Sequence, residues 1–269
     1  MGIRIDLPQP EFHHPAEIAM LNRLRDEGTV LVQQYIAART REGVTFVSRD
    51  AAKMLFPEYV ADPTINNKYS DRAASTLAES VRIHLLSRPP LLPRNEVVIV
   101  TGTPASGKSV SASEISGPTI EIVHETILTS LPKARQRVQE AIAAGRLPQI
   151  IVVYTNSPRI HVRRMIGRAL AIGRTVPIAY MAETYVGVPR MVEHLHLEFG
   201  RDLQITLMNN SARPVDVVLH HDIQQMFSDI GRYTVESCLR VMDDELRQIH
   251  EVDPISPQIL REARRGHTA

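Results

Sequence analysis

The stretch Val97 to Ser109, VVIVTGTPASGKS, decides how the rest of the chain is read. Val97 to Val100 is a short run of β-branched apolar residues, which predicts a buried strand. Gly102-Thr103-Pro104-Ala105-Ser106-Gly107-Lys108-Ser109 then matches G-x-x-x-x-G-K-[ST] in full. Gly102 and Gly107 permit backbone angles that a Cβ disfavours, so the loop can wrap phosphate oxygens. Backbone N–H groups turned inward at the start of a helix make an anion site. Lys108 adds a point charge for the β- and γ-phosphates, and the Ser109 hydroxyl is a ligand for Mg²⁺. The alternative is a glycine turn after a core strand. The strand before the loop and the helix-capable run after it favour phosphate binding.

Working outward, alternating elements follow. The spacing of Ile18, Leu21, Leu24, Leu31, Val32 and Tyr35 predicts helix from Pro15 to Arg41, with Gly28 as a possible break. Gly43 to Val47 reads as a strand, then a short helix from Ala51 to Phe56 capped by Ser48 or Asp50, and a turn at Asp62-Pro63-Thr64. A helix spans Ser70 to Leu86, and Ser87 to Pro93 is a stiff connector. Beyond the loop come a helix to Ser116, a strand Thr119–His124, a helix Ser130–Ala144, a strand Ile150–Tyr154, and helices Ser157–Ile172 and Tyr180–Phe199. Strands Leu203–Met208 and Val215–Leu219 follow, then helices Asp222–His250 and Ser256–Arg264. This alternation implies an α/β fold with a mostly parallel sheet and helices on both faces, of P-loop NTPase or kinase type. The expected division is a helical N-terminal segment (1–93) carrying a substrate-site module near 44–60, a core (94–220), and a helical C-terminal extension (221–269).

Composition narrows the partners. The chain has 269 residues, 43% hydrophobic and 23% charged, with a formal net charge of +1. No global field argues for nucleic acid or an anionic membrane. The single cysteine, Cys238, forbids an internal disulfide and fits a reducing, cytoplasmic setting. No apolar run reaches the roughly 18 residues of a spanning helix, and no signal-peptide pattern is evident. The histidines lack thiolate companions and ligand spacing, which argues against a metal site of their own.

Phosphoryl transfer also needs charge offset on the moving group and a carboxylate for the acceptor proton. The Ser157–Ile172 helix carries Arg163, Arg164 and Arg168, and Arg174 follows Gly173. They suit a lid, or alternatively a solvated basic face. Two carboxylates are candidates for the base: Asp50, after the Val44–Val47 strand, and Glu125, after the strand beside the loop. Their structural alternatives are a helix cap and a rim ion pair. The third strand, IIVVYTN, ends without the acid that holds metal in motor ATPases and switch GTPases.

Together these stretches resemble the zeta-toxin-like P-loop kinases of bacteria and phages. Arg168 with ALAIGRTVP (Ala169 to Pro177) looks like that family's Arg-Ala-x-x-x-Gly-Arg-x-Val lid. AIAAGRLPQIIVVYTNSP (141–158), MAETYVGVPRMVEHL (181–195) and MNNS (208–211) are similar to its following elements, with Asn209 where relatives have Asp. The resemblance covers roughly residues 44–250. SRDAAKMLFPEYV (48–60) is similar to the substrate segment, but precedes the loop instead of following it. The resemblance implies transfer of the γ-phosphoryl of ATP or GTP, with Mg²⁺, to a hydroxyl of a nucleotide-sugar or nucleotide. Lys108, Arg164, Arg168 and Arg174 would surround the phosphates, with Asp50 or Glu125 as base. It also implies an antitoxin, or a chaperone for a secreted effector. A nucleotide-binding module without catalysis is the rival reading. A polynucleotide 5′-hydroxyl kinase is disfavoured by the near-neutral charge.

Overall fold

A computed structural model describes residues 3, 5–211 and 230–266. The helices are α1 (Pro15–Arg39), α2 (Arg49–Lys53), α3 (Pro57–Ala61), α4 (Pro63–Asn66), α5 (Asp71–Leu86), α6 (Lys108–Glu114), α7 (Leu131–Ala143), α8 (Pro158–Ile172), α9 (Ile178–Phe199), α10 (Val235–Val252) and α11 (Pro257–Ala263). The strands are β1 (Thr40–Arg41), β2 (Val44–Ser48), β3 (Glu96–Thr101), β4 (Ile120–Glu125), β5 (Leu147–Tyr154) and β6 (Gln204–Asn209). They hydrogen-bond in the order β1-β2-β4-β3-β5-β6. The β2–β4 and β5–β6 pairs are parallel, and β1–β2 is antiparallel. The expected α/β class, a mostly parallel sheet interleaved with helices, is what the chain forms. Among the described residues no helix is long and apolar enough to cross a membrane.

Contacts divide the chain into two compact units. The first comprises Met1–Val98, Ala112–Thr126 and Glu140–Leu147. Its core joins Leu24, Val32 and Tyr35 of α1 to Leu77 and Val81 of α5, Val47 of β2 and Ile122 of β4, all essentially without solvent contact. Each such aliphatic side chain contributes about 1.5–3 kcal/mol by leaving water. Helix α1 runs unbroken through Gly28, contrary to the possible break there. Ile5 lies so close that a Cβ at Gly28 would stand 2.2 Å from its Cδ1, so the glycine serves packing and not termination.

The helix ends two residues early, at Arg39, because Thr40 and Arg41 pair with Thr45 and Val44. Glu42 and Gly43, both at positive φ (49° and 80°), make the two-residue hairpin turn. Ser48, not Asp50, caps α2 by accepting from the Ala51 N–H at 3.0 Å. Asp62 does more than turn the chain: its carboxylate caps the short helix α4, accepting from the Ile65 N–H at 2.9 Å.

The second unit comprises Ile99–Ser111, Ile127–Gln139 and Pro148–Ala269. Val152 of β5, Leu207 of β6, Val162 and Met165 of α8, Tyr185 and Val192 of α9, and Met242 and Leu246 of α10 form its core. The expected continuous helix Asp222–His250 is broken instead. Thr234 closes a capping box with Ser237, so α10 starts at Val235, after the turn at Gly231-Arg232. The expected strand Val215–Leu219 lies outside the described residues. Burial pushes the Cys238 thiol up to about 12, leaving it inert as a nucleophile.

Candidate functional site

The loop after β3 is shaped by contacts within the second unit. Gly102 has φ +148°, and a Cβ there would lie 2.1 Å from the carbonyl oxygen of Val153. The backbone therefore presses against β5 where no other residue fits. The Thr103 carbonyl accepts from Lys108 Nζ at 2.9 Å and from the Ser106 N–H at 3.1 Å, curling the loop on itself. Ala105 is in the left-handed region at φ 64°, and Gly107 has φ +99°. A Cβ at Gly107 would strike Asn210 Nδ2 at 2.1 Å. Ser106 is fully buried, and its hydroxyl has no protein partner. The Gly107 carbonyl accepts from the Val110 and Ser111 N–H groups, each at 3.1 Å, which starts α6.

Two loop carbonyls are bonded by side chains outside the motif. Pro104 O accepts from His161 Nδ1 at 2.9 Å. Ser106 O accepts from Asn210 Nδ2 at 2.6 Å and Arg164 Nη1 at 3.2 Å. Arg164 Nη2 also donates to the Asn210 carbonyl at 2.8 Å, joining α8 to the end of β6. Asn210 is fixed in turn by its N–H on Tyr154 O at 2.8 Å. Its neighbour Asn209 faces Tyr154 in the β5–β6 register and accepts from the Ser211 N–H at 3.0 Å. Asn209 thus builds a local turn, and Asn210 reaches the loop.

His161 is completely buried on α8. Its Nε2 lies 2.9 Å from the Thr155 hydroxyl, which is also 3.0 Å from Ser157 O. Tyr185 meets the imidazole edge-on at 5.4 Å between centroids and donates to Thr155 O at 3.0 Å. Burial pushes the imidazole down to about 4, helped by the positive Lys108 and Arg164, against the opposing pull of the Pro104 carbonyl. The ring is therefore neutral at ordinary pH. Sequence reading missed His161 and Thr155, which no motif marks. It put Asn209-Asn210-Ser211 at the same strand-end rim as the loop without giving Asn210 a role, and Asn210 does reach the loop.

The arginines of α8 divide. Arg163 Nε pairs with Glu245 of α10 at 2.5 Å, and Arg159 with the same carboxylate at 2.8 Å. Burial works against the Glu245 charge, but the hydrogen bonds from Arg163 and Arg159 hold its carboxyl below the usual range. Arg164 reaches from α8 to the loop carbonyl of Ser106. Arg168 lies one turn further along α8, half-buried, and Arg174 follows the helix cap at Gly173, which has φ 68°. Ser109 is the second residue of α6.

Asp50 and Glu125 both belong to the first unit. Glu125 ends β4 in register with Ser48, the last residue of β2, and Asp50 follows two residues later on α2. Tyr35 anchors this edge: its hydroxyl lies 3.1 Å from Ser48 O and accepts from the Ser48 N–H at 2.8 Å. Burial raises that phenol to about 12, so it stays protonated. Three residues after Asp50, the buried Lys53 points inward. Its Nζ donates to Asn67 Oδ1 at 2.8 Å, pairs with Asp71 at 2.5 Å and stands 4.0 Å from Asp50 Oδ1. Burial lowers the Lys53 ammonium, with Asp71 opposing. Among the described residues no group of three or more His, Cys, Asp or Glu could hold a metal ion.

No protein-family model matches the chain, and no curated protein is a significant match. Among solved structures, a chain from the PezAT chromosomal toxin-antitoxin system of the human pathogen Streptococcus pneumoniae is similar, at 12% identity and a TM-score of 0.43. The similarity covers 90% of this chain and 100% of that one.

Proposed function

We propose that the chain is a P-loop phosphotransferase that moves the γ-phosphoryl group of ATP or GTP to a hydroxyl of a small metabolite of nucleotide-sugar or nucleotide type. The observation that carries this is the loop itself. It holds a buried Ser106 hydroxyl with no protein partner, while the Pro104 and Ser106 carbonyls are bonded away by His161, Asn210 and Arg164. Such a loop keeps donors for an anion and removes the acceptors that would repel one.

In this reading the loop amides and Lys108 bind the β- and γ-phosphates, and the Ser109 hydroxyl is a ligand for Mg²⁺. Bound Mg²⁺ offsets phosphate charge. Arg168 and Arg174 close over the transferred group. The acceptor hydroxyl gives its proton to Asp50, or to Glu125, as its oxygen bonds to the γ-phosphorus. The bridging P–O bond breaks and the nucleoside diphosphate leaves. The roles of these four residues rest on the sequence resemblance to zeta-toxin-like kinases, as does an antitoxin-like protein partner.

Incubation with γ-labelled ATP or GTP, Mg²⁺ and a metabolite extract tests the reading. Label should move to a small phosphate ester in the wild type and stay on the nucleotide in Lys108→Ala. Nucleotide bound without transfer to any acceptor would leave a binding module and overturn the transferase.

A further inference from the structure

The backbone of a phosphate loop is useful only while its N–H groups face the ligand. In a trans peptide the carbonyl and the next N–H point in opposite directions, so fixing one fixes the other. The Pro104–Ala105 bond is trans, and its carbonyl is bonded to His161 Nδ1 at 2.9 Å. A carbonyl has no proton to give, so Nδ1 carries the hydrogen. The neutral ring then has only a lone pair at Nε2, so the single proton of the Thr155 hydroxyl, 2.9 Å from Nε2 and 3.0 Å from Ser157 O, goes to Nε2. Thr155 is itself tied down by Tyr185 through its carbonyl. The held peptide also leads into Ala105 at φ 64°, a conformation that its Cβ disfavours and that the surroundings must enforce.

We infer that His161 is a positioning residue of the phosphate loop: by holding the Pro104 carbonyl outward it presents the Ala105 N–H to a bound phosphate. This rests on the nucleotide-binding reading and adds to it a residue the motif does not contain. Asn210 and Arg164 do the same for the next outward carbonyl, Ser106, and so for the Gly107 N–H.

The imidazole's two ends can be tested separately in the full-length protein. The amide of His161→Asn places its nitrogen where Nδ1 stands, and that of His161→Gln reaches the Nε2 position instead. Both are polar, so neither strands Thr155 in an apolar pocket. Two readouts are needed: the Ala105 amide chemical shifts without nucleotide, which report the orientation of the Pro104–Ala105 peptide, and titration with Mg·ATP and Mg·GTP. His161→Asn should keep the wild-type shifts at Ala105, and His161→Gln should move them. Nucleotide affinity should fall roughly tenfold in His161→Gln, the equivalent of one hydrogen bond, and much less in His161→Asn. Adding Ala105→Gly to His161→Gln should recover part of the loss, because glycine accepts positive φ freely. Equal Ala105 shifts in the two variants, or tighter binding by His161→Gln than by His161→Asn, overturns the inference. A split in the shifts with no nucleotide bound by the wild type would keep the brace and remove the nucleotide reading.

Discussion

Arg146 shows how the first unit is held, and it can be tested in isolation from the chemistry. Its side chain is fully buried, and it forks onto Glu121 through Nε at 2.9 Å and Nη2 at 3.0 Å. Nη1 donates to Leu86 O at 3.2 Å and Ala144 O at 3.0 Å, and Nη2 to Leu85 O and Arg88 O, each at 3.0 Å. Every N–H of the guanidinium is used, and it caps Leu86 O and Arg88 O at the end of α5 together with Leu85 O, which also accepts from the Arg88 N–H at 3.3 Å. Arg146→Ala leaves the Glu121 carboxylate buried without its partner, which costs about 3–5 kcal/mol. The stranded carbonyls add about 1 kcal/mol, because water entering the cavity recovers most of their bonds. A total of about 4–6 kcal/mol is a large part of the 5–15 kcal/mol that typically holds a domain. Arg146→Lys keeps the charge but loses the fork, and should cost about half as much. Arg146→Met with Glu121→Leu should recover most of the loss, since an apolar pair leaves no orphaned charge. Urea unfolding followed by circular dichroism gives the stabilities, and hydrogen exchange at 83–88 localises the effect. A cost below about 1 kcal/mol for Arg146→Ala, or additive effects in the double variant, would refute the reasoning.

Other consequences concern the second unit. The His161 imidazole titrates near 4 in the fold against 6.5 when exposed, so the unfolded chain takes up the proton first as pH falls. Stability from this group is full above about 6.5 and is lost through the window down to 4, by about 3 kcal/mol. Urea midpoints should therefore drop further between pH 7 and 4.5 in the wild type than in His161→Asn; parallel drops would count against a buried neutral ring. Gly102→Ala puts a methyl 2.1 Å from Val153 O, and the loop must shift at a cost of about 1–3 kcal/mol. Nucleotide titration should show the affinity reduced, and wild-type binding would contradict the close approach. Arg174→Ala should lower kcat roughly a hundredfold with little change in nucleotide affinity. Arg163→Ala, whose guanidinium is on Glu245, should be near wild type in steady-state assays. An unchanged kcat in Arg174→Ala removes that residue from the mechanism.

The conformation of the Gly102–Ser109 loop was legible in the sequence because its backbone demands particular residues. Gly102 and Gly107 stand where a Cβ would collide, and the motif records that requirement. The α/β alternation was legible because buried strands and amphipathic helices leave different periodicities. Gly28 misled because a glycine needed for packing against Ile5 looks the same, in one sequence, as a helix breaker. The hairpin at Glu42-Gly43 was hidden because one of its two positive-φ residues is a glutamate. His161, and the role of Asn210 at the rim, were out of reach for another reason. Each acts through a bond to a carbonyl far away in sequence, and a hydrogen bond to backbone leaves no trace in the partner's side chain. The end of β6 was read for an acid missing at Asn209, while the loop contact belongs to Asn210.

Titration calorimetry of the full-length protein with Mg·ATP and Mg·GTP tests the central claim most directly. Saturable binding of at least one nucleotide is expected in the wild type, weakened by roughly tenfold or more in Lys108→Ala through loss of a charge-assisted contact. No binding of either nucleotide by a folded wild-type protein, or equal binding by Lys108→Ala, would contradict it.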